Sequence, residues 1–84
     1  MKEHSGLPVA GYKPQSDEKV ALVNSNKEIE ERLLRQLDEM AGVYYKHDVS
    51  HRWLAIARTH FEEGFMALNR AIFQPSRVKL PEDN

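Results

Sequence analysis

A chain of 84 residues with 12 Lys and Arg against 13 Asp and Glu, a formal charge of −1 and no cysteine excludes disulfides and thiolate metal sites, and it lacks the basic excess of a nucleic-acid-coating protein. That length makes one domain at most, and a lone core of this size supplies only about 3–5 kcal/mol without a staple or a partner subunit. With no cysteine to staple it, self-association is the expected source of the remaining stability. The absence of thiols fits a reducing compartment. No apolar run reaches signal-peptide or membrane-spanning length, so the expectation is a soluble cytoplasmic protein.

Gly6, Pro8, Gly11 and Pro14 keep the first fifteen residues out of a helix. They read as an extended arm over 1–15, with Leu7, Val9 and Tyr12 free to pack or to touch a ligand. A short helix is expected next, with Ser16 as N-cap, Asp17 and Glu18 at its positive end, and Val20, Leu22 and Val23 on an apolar side. Asn24-Ser25-Asn26 then places three poor helix-interior residues in a row. Ser25 and Glu28 have capping-box spacing, which predicts a second helix from there to about Tyr45. Its Ile29, Leu33, Leu37, Met40 and Tyr44 fall at steps of three and four and share a face, widened by Leu34 and Ala41.

Lys46 to Ser50 is a short connection in which Asp48 or Ser50 can cap the next helix. This third helix, over 51–73, carries Trp53, Ile56, Ala57, Phe61, Gly64, Phe65, Leu68, Ala71 and Ile72 at helical spacing, and Pro75 stops it. Two long helices joined by a short loop imply an antiparallel hairpin. The fold class is therefore all-α: an arm over 1–15, a helical domain over 16–75 and a polar tail over 76–84. Leu54, Met66 and Phe73 lie off the main stripe of the last helix, so it has more apolar surface than one partner helix covers. Gly64, Ala57, Ala67 and Ala71 permit close backbone approach. Both features serve either the intramolecular core or contacts between copies, and a homo-oligomer is the expectation.

Catalytic and metal chemistry finds little to work with. His47 and His51 straddle a predicted cap, and His60 near Glu62 and Glu63 lacks zinc-enzyme spacing; solvated surface histidines account for them. No phosphate loop, nucleophile elbow or Ser–His–Asp set can be drawn. Glu28, Glu30, Glu31, Arg32 and Arg35 read as an exposed, charge-laced face, and Asp38 and Glu39 point to different sides. No catalytic residue, metal or cofactor is assigned, and an enzyme is not expected.

Three residues suit an anionic ligand, each with an ordinary explanation beside it. Lys27 falls in the predicted first turn of the second helix, where free N–H groups favour phosphate, or it is a solvated lysine next to Glu28 and Glu31. Tyr12, between Gly11 and Lys13, is placed to stack on a base or to staple the arm to the core. Arg70, near the end of the last helix, is a ligand cation, a dipole partner or half of a surface ion pair.

The run Trp53-Leu54-Ala55-Ile56-Ala57-Arg58-Thr59, continued by Glu63 to Pro75, resembles the last helix of the phage anti-CBASS cyclic-oligonucleotide sponges. So does the Gly11-Tyr12 arm followed by Asn24-Ser25-Asn26-Lys27-Glu28, and the resemblance spans roughly residues 11–75. It implies helical protomers assembled as a hexamer that sequester cyclic-nucleotide immune signals, cGAMP-like dinucleotides among them, without cleaving them, in the infected host's cytoplasm. On the matching positions it implies that Tyr12 stacks on a base and Lys27 holds a phosphate of a cyclic dinucleotide between paired protomers. Cyclic trinucleotides would occupy separate pockets where three protomers meet, with Arg70 as phosphate ligand and Asn69 and Arg77 as further polar candidates. The expected partners are these cyclic nucleotides and further copies of the chain, with no DNA, RNA or membrane. The alternative is a helical protein–protein interaction module, adaptor or antitoxin-like, with no small ligand.

Overall fold

The structure, a computed structural model, describes residues 9–11 and 13–83. Two helices account for its regular structure: α1 (Asp17–Ala41) and α2 (His51–Phe73). Ser16 caps α1, its Oγ accepting the Lys19 N–H at 3.2 Å, with Asp17 and Glu18 in the first turn. Ser50 does the same for α2, accepting from Trp53 N–H at 3.3 Å. Each cap satisfies one of the N–H groups a helix start leaves without a partner, an effect of about 1 kcal/mol. α2 ends as Gln74 turns left-handed at φ 47°, its N–H reaching Arg70 O at 2.7 Å, and Pro75 prevents continuation.

Asn24-Ser25-Asn26 does not break the chain into two helices; α1 runs straight through it. Asn24 and Ser25 are exposed, whereas Asn26 is buried and its amide donates to Asn69 Oδ1 of α2 at 3.1 Å. Three poor helix formers cost roughly 0.5 kcal/mol each. Burial of Val23, about 1.5–3 kcal/mol, and a cross-helix amide bond of about 1 kcal/mol exceed that. Ser25 is therefore no cap, and Lys27 lies in a helix interior rather than at a helix start.

The other end of α1 also differs from expectation. It stops at Ala41, because Gly42 goes extended (ψ 157°) and closes a turn through its N–H to Glu39 O. Helix continuation through glycine costs about 1 kcal/mol, and Tyr44, 94% exposed, offers no burial to offset it.

Two cross-links set the sense of the hairpin. Asn26 meets Asn69, and Asp38 pairs with Arg58; rising numbers on α1 face falling numbers on α2, so the helices are antiparallel. The inward stripe of α1 is Val23, Asn26, Glu30, Leu33, Leu37 and Met40, at steps of three and four, with Leu34 beside it. Ile29 and Tyr44, expected on this face, are off it and exposed. Leu54, Ala57, Arg58, Phe65, Asn69 and Ile72 of α2 are its half-buried counterparts.

Among the described residues only Val23, Leu37 and Asn26 are buried. At about 100° per residue, Trp53, Gly64, Leu68 and Ala71 fall along one flank of the α2 stripe, and Met66, Arg70 and Phe73 along the other. Trp53 is 63% exposed and Met66 70%, and Leu22 and Ile29 of α1 are exposed as well. Among the described residues the hairpin therefore combines a thin core with an extended exposed apolar surface.

Candidate functional site

The open end of the hairpin carries an open cleft of about 680 Å³ lined by Lys27 and Glu30 of α1, by Glu63, Met66, Asn69, Arg70 and Phe73 of α2, and by Pro75 beyond it. Helical geometry explains the assembly. Lys27 and Glu30 are three apart on α1, and Glu63, Met66 and Arg70 step by three and four on α2, so each set lies along one flank. The antiparallel pairing at Asn26–Asn69 brings these flanks level with each other.

Of the residues singled out in the sequence, Lys27, Asn69 and Arg70 come together on this one cleft. Asn69 also serves the fold: its Oδ1 is taken by Asn26, and its amide nitrogen is not used in that bond. Arg77 is exposed and is not among the cleft's lining residues. Tyr12 lies outside the described residues. Lys27 does not draw on a helix N-terminus, so its pull on an anion is that of its own ammonium.

Glu30 and Glu63 escape a reading of the sequence alone. Glu30, grouped by its neighbours with a solvated face, is half-buried and lines the cleft. The signal is present in the sequence, since Glu30 continues the spacing of Val23, Asn26, Leu33 and Leu37. The rest of that face behaves as expected: Arg35 donates to Glu31 at 2.8 Å in the open. The hydrogen bond first, and the Glu31 charge second, push the Arg35 guanidinium above its ordinary value, which leaves it protonated under all working conditions. His60 Nδ1 stands 3.8 Å from Glu63 with both side chains exposed. Among the described residues no three His, Asp or Glu side chains gather in a way that could hold a metal ion, and no helix is long and apolar enough to cross a membrane.

The segment ahead of α1 is tied to the end of α2. Gly11, from the segment ahead of α1, accepts at its carbonyl oxygen from the Ser76 N–H (2.6 Å) and from Ser76 Oγ (3.2 Å). Gln15 Nε2 donates to Phe73 O and to Lys13 O, both at 3.0 Å. The chain on either side of Tyr12 is thus bound to the segment that leaves α2.

Residues 7–73 match the family model described as Acb2/Tad1, hairpin domain. The chain belongs to the Acb2/Tad1 family. This is the anti-CBASS sponge family, and the match covers the arm's end, both helices and every lining residue of the cleft except Pro75. The two-helix architecture agrees with the family's hairpin description. No curated protein sequence matches the chain.

Proposed function

We propose that this Acb2/Tad1 hairpin protein is a phage anti-defence sponge that binds cyclic di- and trinucleotide immune signals and holds them intact, so that CBASS effectors are not activated. One observation carries the reading: in a member of the anti-CBASS family, Lys27, Asn69 and Arg70 converge on a single cleft. The role assigns no residue to catalysis. It needs charge-assisted hydrogen bonds to phosphate, the stronger class of such bonds, and an aromatic face for a base.

In this reading Tyr12 stacks on a base and Lys27 holds a phosphate of a cyclic dinucleotide; Arg70 and Asn69, expected to serve a trinucleotide in a separate pocket, stand on the same cleft as Lys27 within one protomer, so the two ligand sites adjoin. The ligand lies between copies of the chain, in an assembly for which a hexamer is the proposed form. A two-fold symmetric interface presents one lysine and one tyrosine from each copy to a ligand with matching symmetry. The exposed apolar flanks of the hairpin supply the surface for such an assembly.

The mixed charge of the cleft supports a nucleotide over a plain anion. Glu30 and Glu63 stand on the same lining as Lys27 and Arg70, two acids against two bases, so inorganic phosphate gains little net attraction. A nucleotide offers phosphates to the cations and base N–H donors to the carboxylates, which act as acceptors only.

The experiment is titration calorimetry with a 3′,3′-linked cyclic dinucleotide and with inorganic phosphate, followed by chromatography of ligand released by heat. Saturable binding of the dinucleotide, none of phosphate, and recovery of the ligand unchanged are expected. Lys27→Ala should weaken binding by about 1.5–3 kcal/mol, the value of a hydrogen bond to a charged group. A recovered linear product would replace sequestration by cleavage. Failure to bind cyclic di- and trinucleotides alike would leave the helical interaction module.

A further inference from the structure

We propose that Glu30, supported by Glu63, is a specificity-determining residue of the cleft: its carboxylate turns away nucleotides that carry a terminal phosphate and leaves the cleft to cyclic ones. The proposal rests on the sponge reading, which supplies the cyclic ligand. Three features of the described residues lead to it.

The first is the place of Glu30. It occupies an inward position of α1, on the stripe of Val23, Leu33 and Leu37, and it is half-buried. A carboxylate drawn partly out of water costs stability unless a partner offsets the loss. Among the described residues no ion pair forms on Glu30.

The second is that the charges on the cleft leave one another alone. Glu63 and Arg70 are seven residues apart on α2, two turns or roughly 10 Å along the axis, too far to pair. Lys27 and Glu30 are three apart on α1, with the lysine ahead of the glutamate, the weaker order for such a pair. Among the described residues neither cation is ion-paired to either acid, and Glu63 stands instead 3.8 Å from His60. Charges of both signs are thus left available to a ligand.

The third is the balance of those charges, two cations and two carboxylates on one concavity. A cyclic dinucleotide holds its phosphates as diesters, each singly charged, and has no terminal phosphate. Opening the ring by hydrolysis of one diester keeps the bases and the phosphates but exposes a monoester of about −1.5 to −2 charge. On this cleft the surplus charge meets carboxylates, and like charges brought together at an interface cost affinity. Discrimination is built by repelling the wrong ligand as well as by attracting the right one. Terminal phosphates mark the ordinary nucleotide pool of a cell, and a sponge filled from that pool would capture no signal.

The test compares two ligands with the same bases, by calorimetry on the full chain. One is the 3′,3′-linked cyclic dinucleotide of guanosine and adenosine; the other is its ring-opened form with a 5′-terminal phosphate. Wild type should prefer the cyclic form. The ring-opened form is also more flexible, so the informative quantity is the change in that preference. Glu30→Gln keeps the shape and removes the charge, and should narrow the preference by about tenfold. Glu63→Gln should narrow it less, because that side chain is 68% exposed and its charge is better screened. Glu28→Gln makes the same change in net charge at an exposed position outside the cleft, and should leave the preference as in wild type. A loss of folding weakens both ligands together and does not move their ratio.

A preference unchanged in Glu30→Gln, or narrowed as much by Glu28→Gln, would overturn the role of Glu30 and leave the sponge intact. A wild-type chain that binds no cyclic di- or trinucleotide would overturn the sponge reading and the filter with it.

Discussion

The two halves of the hairpin use the same pair of helices for different ends. Toward the turn, Leu33, Leu37 and Met40 face the half of α2 that carries Leu54 and Ala57, and the Asp38–Arg58 ion pair closes the side. Toward the open end, the facing positions hold Asn26 and Asn69, and Lys27, Glu30, Glu63 and Arg70 surround them. Apolar packing is non-directional and tolerates a slipped register. A buried amide pair does not, because any slip leaves two desolvated amides without partners. Apolar burial serves both halves, through Val23 at the open end and Leu37 toward the turn, whereas the amide pair and the candidate site belong to the opening.

The contrast between the halves is broken most severely at Leu37, which is only 5% exposed. Leu37→Ala should lower the unfolding free energy by about 2–5 kcal/mol, measured by chemical denaturation. Ile29→Ala, an aliphatic truncation on an exposed position of the same helix, should cost clearly less. Equal losses would mean that α1 presents to α2 the face drawn through Ile29 and Tyr44 rather than the one through Val23, Asn26 and Leu37.

How the two halves read in the sequence reflects the same contrast. The helix starts and α2 were legible: Ser16 and Ser50 cap as their types suggest, Pro75 ends the last helix, and α2 occupies 51–73 as its spacing indicates, whereas α1 stops at Ala41 and not near Tyr45. The pairing around Asn26 was not, because two of the inward residues there are polar. Asn26 and Glu30 occupy inward positions of a stripe that otherwise reads Val23, Leu33, Leu37 and Met40. A search for apolar residues at helical steps skips both, and a propensity scale then reads Asn24-Ser25-Asn26 as a break. Only the partner across the hairpin, Asn69, converts Asn26 from a helix breaker into a core residue. Lys27, Asn69 and Arg70 were visible as polar candidates, but their convergence depended on a pairing that individual residues do not announce. The hydrogen bonds from Ser76 to the Gly11 carbonyl were beyond reach, since they join residues 65 apart.

The next effect in size concerns that amide pair. Asn26→Ala leaves Asn69 Oδ1 without its partner and should cost about 1–3 kcal/mol. Replacing both by leucine exchanges a polar pair for an apolar one and should be neutral or stabilising, as buried polar pairs often are when replaced together. The double variant should nevertheless bind cyclic nucleotide more weakly than wild type, because Asn69 lines the cleft. A double variant that is more stable and binds equally well would separate register from recognition and remove Asn69 from the site.

The smallest effect lies on the flank that belongs to neither half. Gly64 sits inside α2, and a Cβ built there meets nothing within 4 Å. Within a single protomer Gly64→Ala should therefore stabilise the helix by about 1 kcal/mol, the usual gain of alanine over glycine in a helix interior. The sign is the informative part. Gly64 shares its flank with Trp53, Leu68 and Ala71, and if a helix of another copy packs there, the added methyl must enter that contact and the gain becomes a loss. Thermal unfolding measured over a range of protein concentrations, alongside sedimentation, separates the two cases. A higher Tm with unchanged mass places the assembly interface elsewhere on the hairpin. A lower Tm that falls further on dilution, with a lighter particle, puts the interface on the small-residue flank and leaves the opposite flank, with Lys27 and Arg70, facing the ligand.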